Sequence, residues 1–167
     1  MTGEEPIRIL MTGGTIDKEY DPLTGELTFG KSHLSNILNQ VRCKARFVLE
    51  EAMLKDSLQM RSEDREEILK RCVDCQESRI IVTHGTDTMA ETGRVLGNNV
   101  KGKTIVLVGA MIPYAFGASD ALFNLGCAFA VAQVLKQGVY ITMNGKIFPW
   151  DNVRKNKESG EFEKLKD

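Results

Sequence analysis

Short runs of apolar residues, most closed by a cluster of Gly, Thr, Ser or Asp, alternate along the chain with stretches of helical periodicity. The first run, IRILM at residues 7–11, gives way to a polar loop that lasts to Lys31. Inside that loop, EYDPLTGELTF places Asp-Pro and Thr-Gly between β-prone residues, which predicts a small hairpin. Ser32 then precedes a short helical segment with Leu34, Ile37, Leu38 and Val41 on one face. ARFVLEEAML is a second strand, ending at KDSLQM. Ser62 starts a helix with Glu63 and Asp64 in its first turn, where acids suit the helix dipole, and with Ile68, Leu69, Cys72 and Val73 facing inward. Residues 79–83 form the third strand. Thr88 and Glu91 have the spacing of a capping box, so the next helix is expected from near Thr88 to near Gly97. KTIVLVGAM is a strand, SDALFNLGCAFAVAQVL a largely buried helix capped at Ser119, and GVYITMN the last clear strand. A turn and the tail KIFPWDNVRKNKESGEFEKLKD follow.

Near-continuous apolar strands separated by helices need cover on both faces. The pattern therefore predicts an α/β fold, Rossmann-like or flavodoxin-like, with three layers around a mainly parallel sheet. With 167 residues, no repeat and no Ser/Pro-rich linker, one domain over residues 1–167 is expected. Ligands of such sheets bind outside the carboxyl ends of the strands. That rule lines up TGGTID, KDSLQ, THGTDT and GAMIPYAFGASD along one rim, which reads as a small-molecule site.

Composition narrows the partners. A net charge of −1 argues against a role on nucleic acid. No apolar run approaches the roughly 20 residues of a membrane helix. The opening MTGEEPIRIL carries acids where a secretory signal would have bases, so a cytoplasmic location is expected. Of the four cysteines, only Cys72 and Cys75 in CVDC have ligand-like spacing. They have no second pair, so an incidental helix end is expected rather than a metal or redox site. No metal or cofactor is implied.

Two elbows carry the candidate chemistry: TGGTID after the first strand and THGTDT after the third. Glycines after a strand let backbone N–H groups approach a ligand, so either elbow could hold a phosphate or a carboxylate. The phosphate reading lacks its own parts, since neither a G-x-G-x-x-G nor a P-loop Lys is present. Threonine offers another use: a hydroxyl nucleophile beside backbone donors that stabilise an oxyanion. The plainer reading is that Thr15, Thr86 and Thr88 cap turns and helices. From the residues alone both readings stay open.

ILMTGGTID and IVTHGTDTMAET closely resemble the two signature motifs of bacterial-type L-asparaginases. IVLVGAMIPYAFGASDALFNL is similar to that family's third characteristic segment, and DNVRKNKESGEF to the stretch with its catalytic lysine. The resemblance implies Thr15 as nucleophile, with Tyr20 as its partner at a shorter spacing than in the long forms. It implies Thr86, Asp87 and Lys155 as a Thr–Lys–Asp group. It implies Gly14, Ser57, Leu58, Gly85 and Asp87 as substrate-binding positions, Ser57 for the α-carboxylate and Asp87 for the ammonium. His84, which looks like a base, is a structural member of the motif in the resemblance. The implied activity is hydrolysis of L-asparagine to L-aspartate and ammonia through an acyl-enzyme.

Familiar members are roughly twice this length, in keeping with two domains. The chain resembles a short form that keeps only the amino-terminal catalytic domain, without the acid a second domain adds to the site. Leu58 also stands where many relatives carry a polar residue. The alternatives are a non-catalytic amino-acid-binding or regulatory module, and an amidase preferring glutamine or another small amide. A homo-oligomer is the expected assembly. The tail around Trp150 and Phe162 reads either as a contact surface or as simple packing onto the domain.

Overall fold

A computed structural model describes residues 5–166. In chain order the elements are β1 (Ile7–Gly13), β2 (Lys18–Tyr20), β3 (Leu27–Phe29), α1 (Leu34–Gln40), β4 (Phe47–Lys55), α2 (Ser62–Asp74) and β5 (Arg79–Thr83). They continue with α3 (Met89–Asn99), β6 (Thr104–Val108), α4 (Ala121–Val134), β7 (Gly138–Met143), β8 (Lys146–Pro149), β9 (Arg154–Lys155) and β10 (Phe162–Glu163). Six strands form one sheet in the order β4-β1-β5-β6-β7-β8. The first five run parallel, and β8 returns antiparallel to β7. The α/β fold with a mainly parallel sheet is as the hydrophobic pattern predicts. So is the hairpin of the first loop, where Lys18 pairs with Phe29 and Tyr20 with Leu27.

Successive residues of a strand point to opposite faces, so each central strand feeds two cores. Ile9, Met11, Ile81, Val106 and Val108 pack with Leu34 and Ile37 of α1 and with Leu125 and Phe129 of α4. Leu10, Ile80, Val82, Ile105 and Leu107 pack with Ile68 and Cys72 of α2 and with Met89 and Leu96 of α3. Burial pushes the Cys72 thiol up to about 12, as expected of a core residue.

The elements depart locally from the sequence expectation. Val41 and Val73 do not face inward; both are exposed, each lying at the carboxyl-terminal end of its helix. The strand expected over KTIVLVGAM, β6, stops at Val108; beyond that end, Asp120 accepts from Met111 N–H and Ile112 N–H at 3.0 Å each. That same aspartate, not Ser119, is the N-cap of α4, while Ser119 Oγ accepts from Ala121 N–H at 3.0 Å. The helix after β5 runs to Asn99, past Gly97.

The tail folds back onto the body, which selects the packing reading for its aromatics. Asn144 and Gly145, both at positive φ, make the tight turn between β7 and β8. Phe162 is buried in the α2–α3 side of the core. Trp150 lies so close to α3 that a Cβ on Gly97 would sit 2.2 Å from the indole. Gly97→Ala should therefore lift the indole from α3 and cost about 1–3 kcal/mol. Because Trp150 is the chain's one tryptophan, the change should appear as a red shift in emission together with a lower Tm.

Candidate active site

The winding of the sheet changes direction at β1. The connection through α1 leads outward to β4, and the connection through α2 returns past β1 to β5. A crevice opens where these connections diverge, at the carboxyl ends of β1 and β5. TGGTID and THGTDT are the two lips of that crevice.

Backbone meets backbone there. Gly13 and Gly14 adopt φ of 99° and 81°, a region that side chains disfavour. A Cβ on Gly13 would lie 2.4 Å from the Lys55 nitrogen, and one on Gly14 would lie 2.3 Å from the Gly85 nitrogen. A Cβ on Gly85 would lie 2.5 Å from Ser57 Oγ. The Gly14 N–H donates to the Lys55 carbonyl at 2.9 Å. Three strand ends are thus closed against one another, and Thr15 and Thr86 each follow a glycine of this contact.

Lys155 reaches the same place from the β9–β10 hairpin. Its Nζ donates to Thr86 Oγ1 and to Asp87 Oδ1, each at 2.8 Å. The lysine side chain is 16% exposed and that of Asp87 45%, so the ammonium is shielded while the carboxylate faces solvent. Ser57 is buried at the start of a 3-10 turn (Ser57–Gln59). The Thr88 N–H approaches Ser57 Oγ at 3.3 Å, and Thr88 Oγ1 donates to the Ser57 carbonyl at 2.9 Å. Thr88 therefore binds the neighbouring turn and does not form the capping box expected with Glu91.

The remaining expected residues lie nearer the surface. Thr15 opens a 3-10 turn (Thr15–Asp17) and is partly exposed. Leu58 is 71% exposed and lines, with Asp87, Thr88, Arg94 and Lys155, a groove of about 670 Å³. Tyr20 is 58% exposed on the hairpin and its hydroxyl makes no hydrogen bond among the described residues. The structure thus brings Gly14, Gly85 and Ser57 into contact and joins Thr86, Asp87 and Lys155. It does not bond Tyr20 to them.

His84 is fully buried and its ring is used by the fold. Nδ1 lies 2.7 Å from the Gly85 carbonyl, which can only accept, so Nδ1 carries the proton. Nε2, 2.7 Å from Thr92 Oγ1, accepts from that hydroxyl. Burial holds the imidazole pKa down at about 4, too low for a base that cycles near neutrality.

Three charged residues to which the sequence reading gave no role flank the candidate groups. Asp17 is fully buried and accepts from His33 N–H at 2.7 Å and from Ser32 Oγ at 3.0 Å. Burial pushes its carboxyl up despite those donors. Lys18, three residues after Thr15, pairs with Asp56, the residue before Ser57. Burial opposes charge on Asp56, yet the Lys18 ammonium and the Leu58 N–H hold its carboxyl below the usual range. The available signal was position: each of these residues lies within three residues of Thr15 or Ser57.

The family model for the amino-terminal part of asparaginases matches residues 6–163. The chain belongs to the asparaginase family. L-asparaginase 2 of Escherichia coli is 34% identical over 159 residues, spanning 89% of this chain and 46% of that protein. A glutamyl-tRNA(Gln) amidotransferase subunit of Methanococcus vannielii is 33% identical over 84% of the chain and 34% of its own length. Among solved structures, the probable cytoplasmic L-asparaginase of Campylobacter jejuni superposes with a TM-score of 0.79 at 33% identity, over 91% of this chain and 50% of that one. The thermostable L-asparaginase of Thermococcus kodakarensis gives 0.81 at 26% identity, over 97% and 52%. The chain thus spans about half the length of these asparaginases. No described helix is long and apolar enough to cross a membrane.

The buried His84 ties stability to pH. Its folded pKa of about 4 lies below the ordinary 6.5, so protons bind the unfolded chain first. The contribution is intact above about pH 6.5 and should be lost progressively down to about pH 4, about 3 kcal/mol in all. Urea midpoints measured from pH 7 to pH 4 should fall with that slope. His84→Gln should flatten the limb, whatever its own stability at pH 7.

Proposed function

We propose that the chain is an amidohydrolase that converts L-asparagine to L-aspartate and ammonia, with Thr15 as nucleophile. The observation that carries this reading is the Lys155 ammonium, 2.8 Å from both Thr86 Oγ1 and Asp87 Oδ1. A lysine brought across 69 residues of sequence to a threonine hydroxyl is not needed to cap a turn. The plain capping reading of the two elbows leaves it unexplained.

Thr15 Oγ1 attacks the side-chain amide carbon, and backbone N–H groups of the Gly14 and Gly85 elbows stabilise the oxyanion. The amide nitrogen leaves as ammonia once it gains the proton that Thr15 gives up. The Lys155–Thr86 pair supplies a relay for that proton. Thr86 accepts from the ammonium through Oγ1, so its own O–H is free to face the crevice. Water then attacks the acyl carbon, its proton passes by way of the Thr86 hydroxyl to the departing Thr15 Oγ1, and aspartate is released with Thr15 restored. The partly exposed Asp87 carboxylate receives the substrate ammonium, and Ser57 the α-carboxylate. Gly14 and Gly85 admit the substrate against the backbone, Leu58 borders it, and Tyr20 would reach the nucleophile when the hairpin lies over the site. No metal or cofactor takes part. We read residues 1–167 as one amino-terminal-type asparaginase domain, acting in the cytoplasm as a homo-oligomer. L-glutamine is the alternative substrate.

A second reading, an amino-acid-binding module without turnover, is favoured by the openness of the site, where Asp87 and Tyr20 are half exposed. Ammonia release from L-asparagine by the purified protein separates the two. Thr15→Ala, Thr86→Val and Lys155→Met should each lower that release by about 10²-fold or more while leaving circular dichroism unchanged. Saturable asparagine binding without ammonia would establish the binding module instead. Neither binding nor turnover of asparagine or glutamine would dismiss both.

A further inference from the structure

Beside the main-chain bond from Gly14 to Lys55, the hydrogen-bond network contains a side-chain link between the Thr15 turn and the Ser57 turn. Lys18 directly follows the turn that Thr15 opens, and its own N–H closes that turn on the Thr15 carbonyl. Its ammonium pairs with Asp56 Oδ2, the two side chains being only 17% and 26% exposed. The other oxygen of the same carboxylate, Oδ1, accepts from Leu58 N–H at 2.9 Å and so caps the turn that begins at Ser57. The ammonium also lies 6.0 Å from the centroid of Phe29, the hairpin partner of Lys18. One aspartate thus holds the Ser57 turn with one oxygen and the Thr15 turn with the other.

We infer that Lys18 and Asp56 are positioning residues that set the separation of Thr15 from Ser57. The inference rests on the proposed roles of those two residues, nucleophile and carboxylate site. A substrate held between them has its scissile carbon placed by the same distance that the ion pair fixes. Misplacing a nucleophile by about 1 Å is enough to cost up to 10²-fold in rate. A surface ion pair adds little to stability, but this one is largely shielded and ties together two turns that carry the reacting groups. Asp17 anchors the Thr15 turn elsewhere, on Ser32 and His33, and so fixes its base without reference to Ser57.

The test is a double-mutant cycle with Lys18→Met and Asp56→Asn. The asparagine side chain keeps an acceptor for Leu58 N–H, so the capped turn survives and only the charge pairing is lost. Each single variant should lower kcat/KM for L-asparagine about tenfold, with KM raised and kcat lowered together. The double variant should be no worse than either single, because one interaction has been removed in all three. Additive losses, or an unchanged kcat/KM in Lys18→Met at a temperature well below its Tm, would overturn the inference. A merely structural pair would lower Tm without this pattern. A second readout does not depend on turnover: hydrogen exchange of the amides in residues 15–20 and 57–59. Both segments should exchange several-fold faster in each single variant. Acceleration confined to the segment that carries the substitution would overturn the linkage. If the wild-type protein releases no ammonia, the proposed function fails while the exchange arm still decides the linkage.

Discussion

The contact of main chain with main chain at the carboxyl edge of the sheet sets the terms for the residues around it. Gly14 lies against Gly85, and Gly85 against Ser57, at distances that leave no room for a side chain. A parallel sheet of five strands holds these ends in register, and the reversal of winding at β1 splays the connections so that a crevice forms between them. The threonines that follow Gly14 and Gly85 are thereby placed beside the contact. Glycine makes the approach sterically possible, and threonine uses it.

Around that contact the polar groups divide into two kinds. His84, Asp17 and Asp120 spend their capacity on the fold, on the Gly85 carbonyl, on the His33 amide and on the amides after β6. Lys155 and Asp87 do not: their pairing leaves a half-exposed carboxylate and a hydroxyl with a free proton at the lip of the crevice. His84 and Asp17 are fully removed from water and must be satisfied by the protein itself. Asp120 is only partly buried, and the exposed Asp87 carboxylate retains capacity for a ligand.

Much of this was legible in the sequence, and for physical reasons. Apolar runs such as IIVT and TIVLV betray strands covered on both faces, and the Gly-Thr clusters after them mark strand ends on one rim. Resemblance to a family of known activity supplied the roles proposed for Thr15, Thr86 and Lys155, which spacing alone left as caps and surface charge. What pattern could not disclose was pairing over distance. Nothing local says that Lys18 meets Asp56, that Thr88 prefers the Ser57 carbonyl to Glu91, or that Trp150 lies against a glycine of α3. Such contacts depend on how separate elements pack, and a single sequence carries no trace of them except small residues in odd places, such as Gly97.

The long reach of Lys155 has a consequence for how the protein is made. All five parallel strands, both glycine elbows and the Ser57 turn precede it in the chain. A ribosome therefore makes the residues of the whole sheet before it makes the cation that meets Thr86 among the described residues. The lysine is then carried home by a hairpin whose anchors, Trp150 and Phe162, lie on either side of it in sequence. On the roles proposed for these residues, the Thr86 hydroxyl gains its ammonium only once that hairpin is in place.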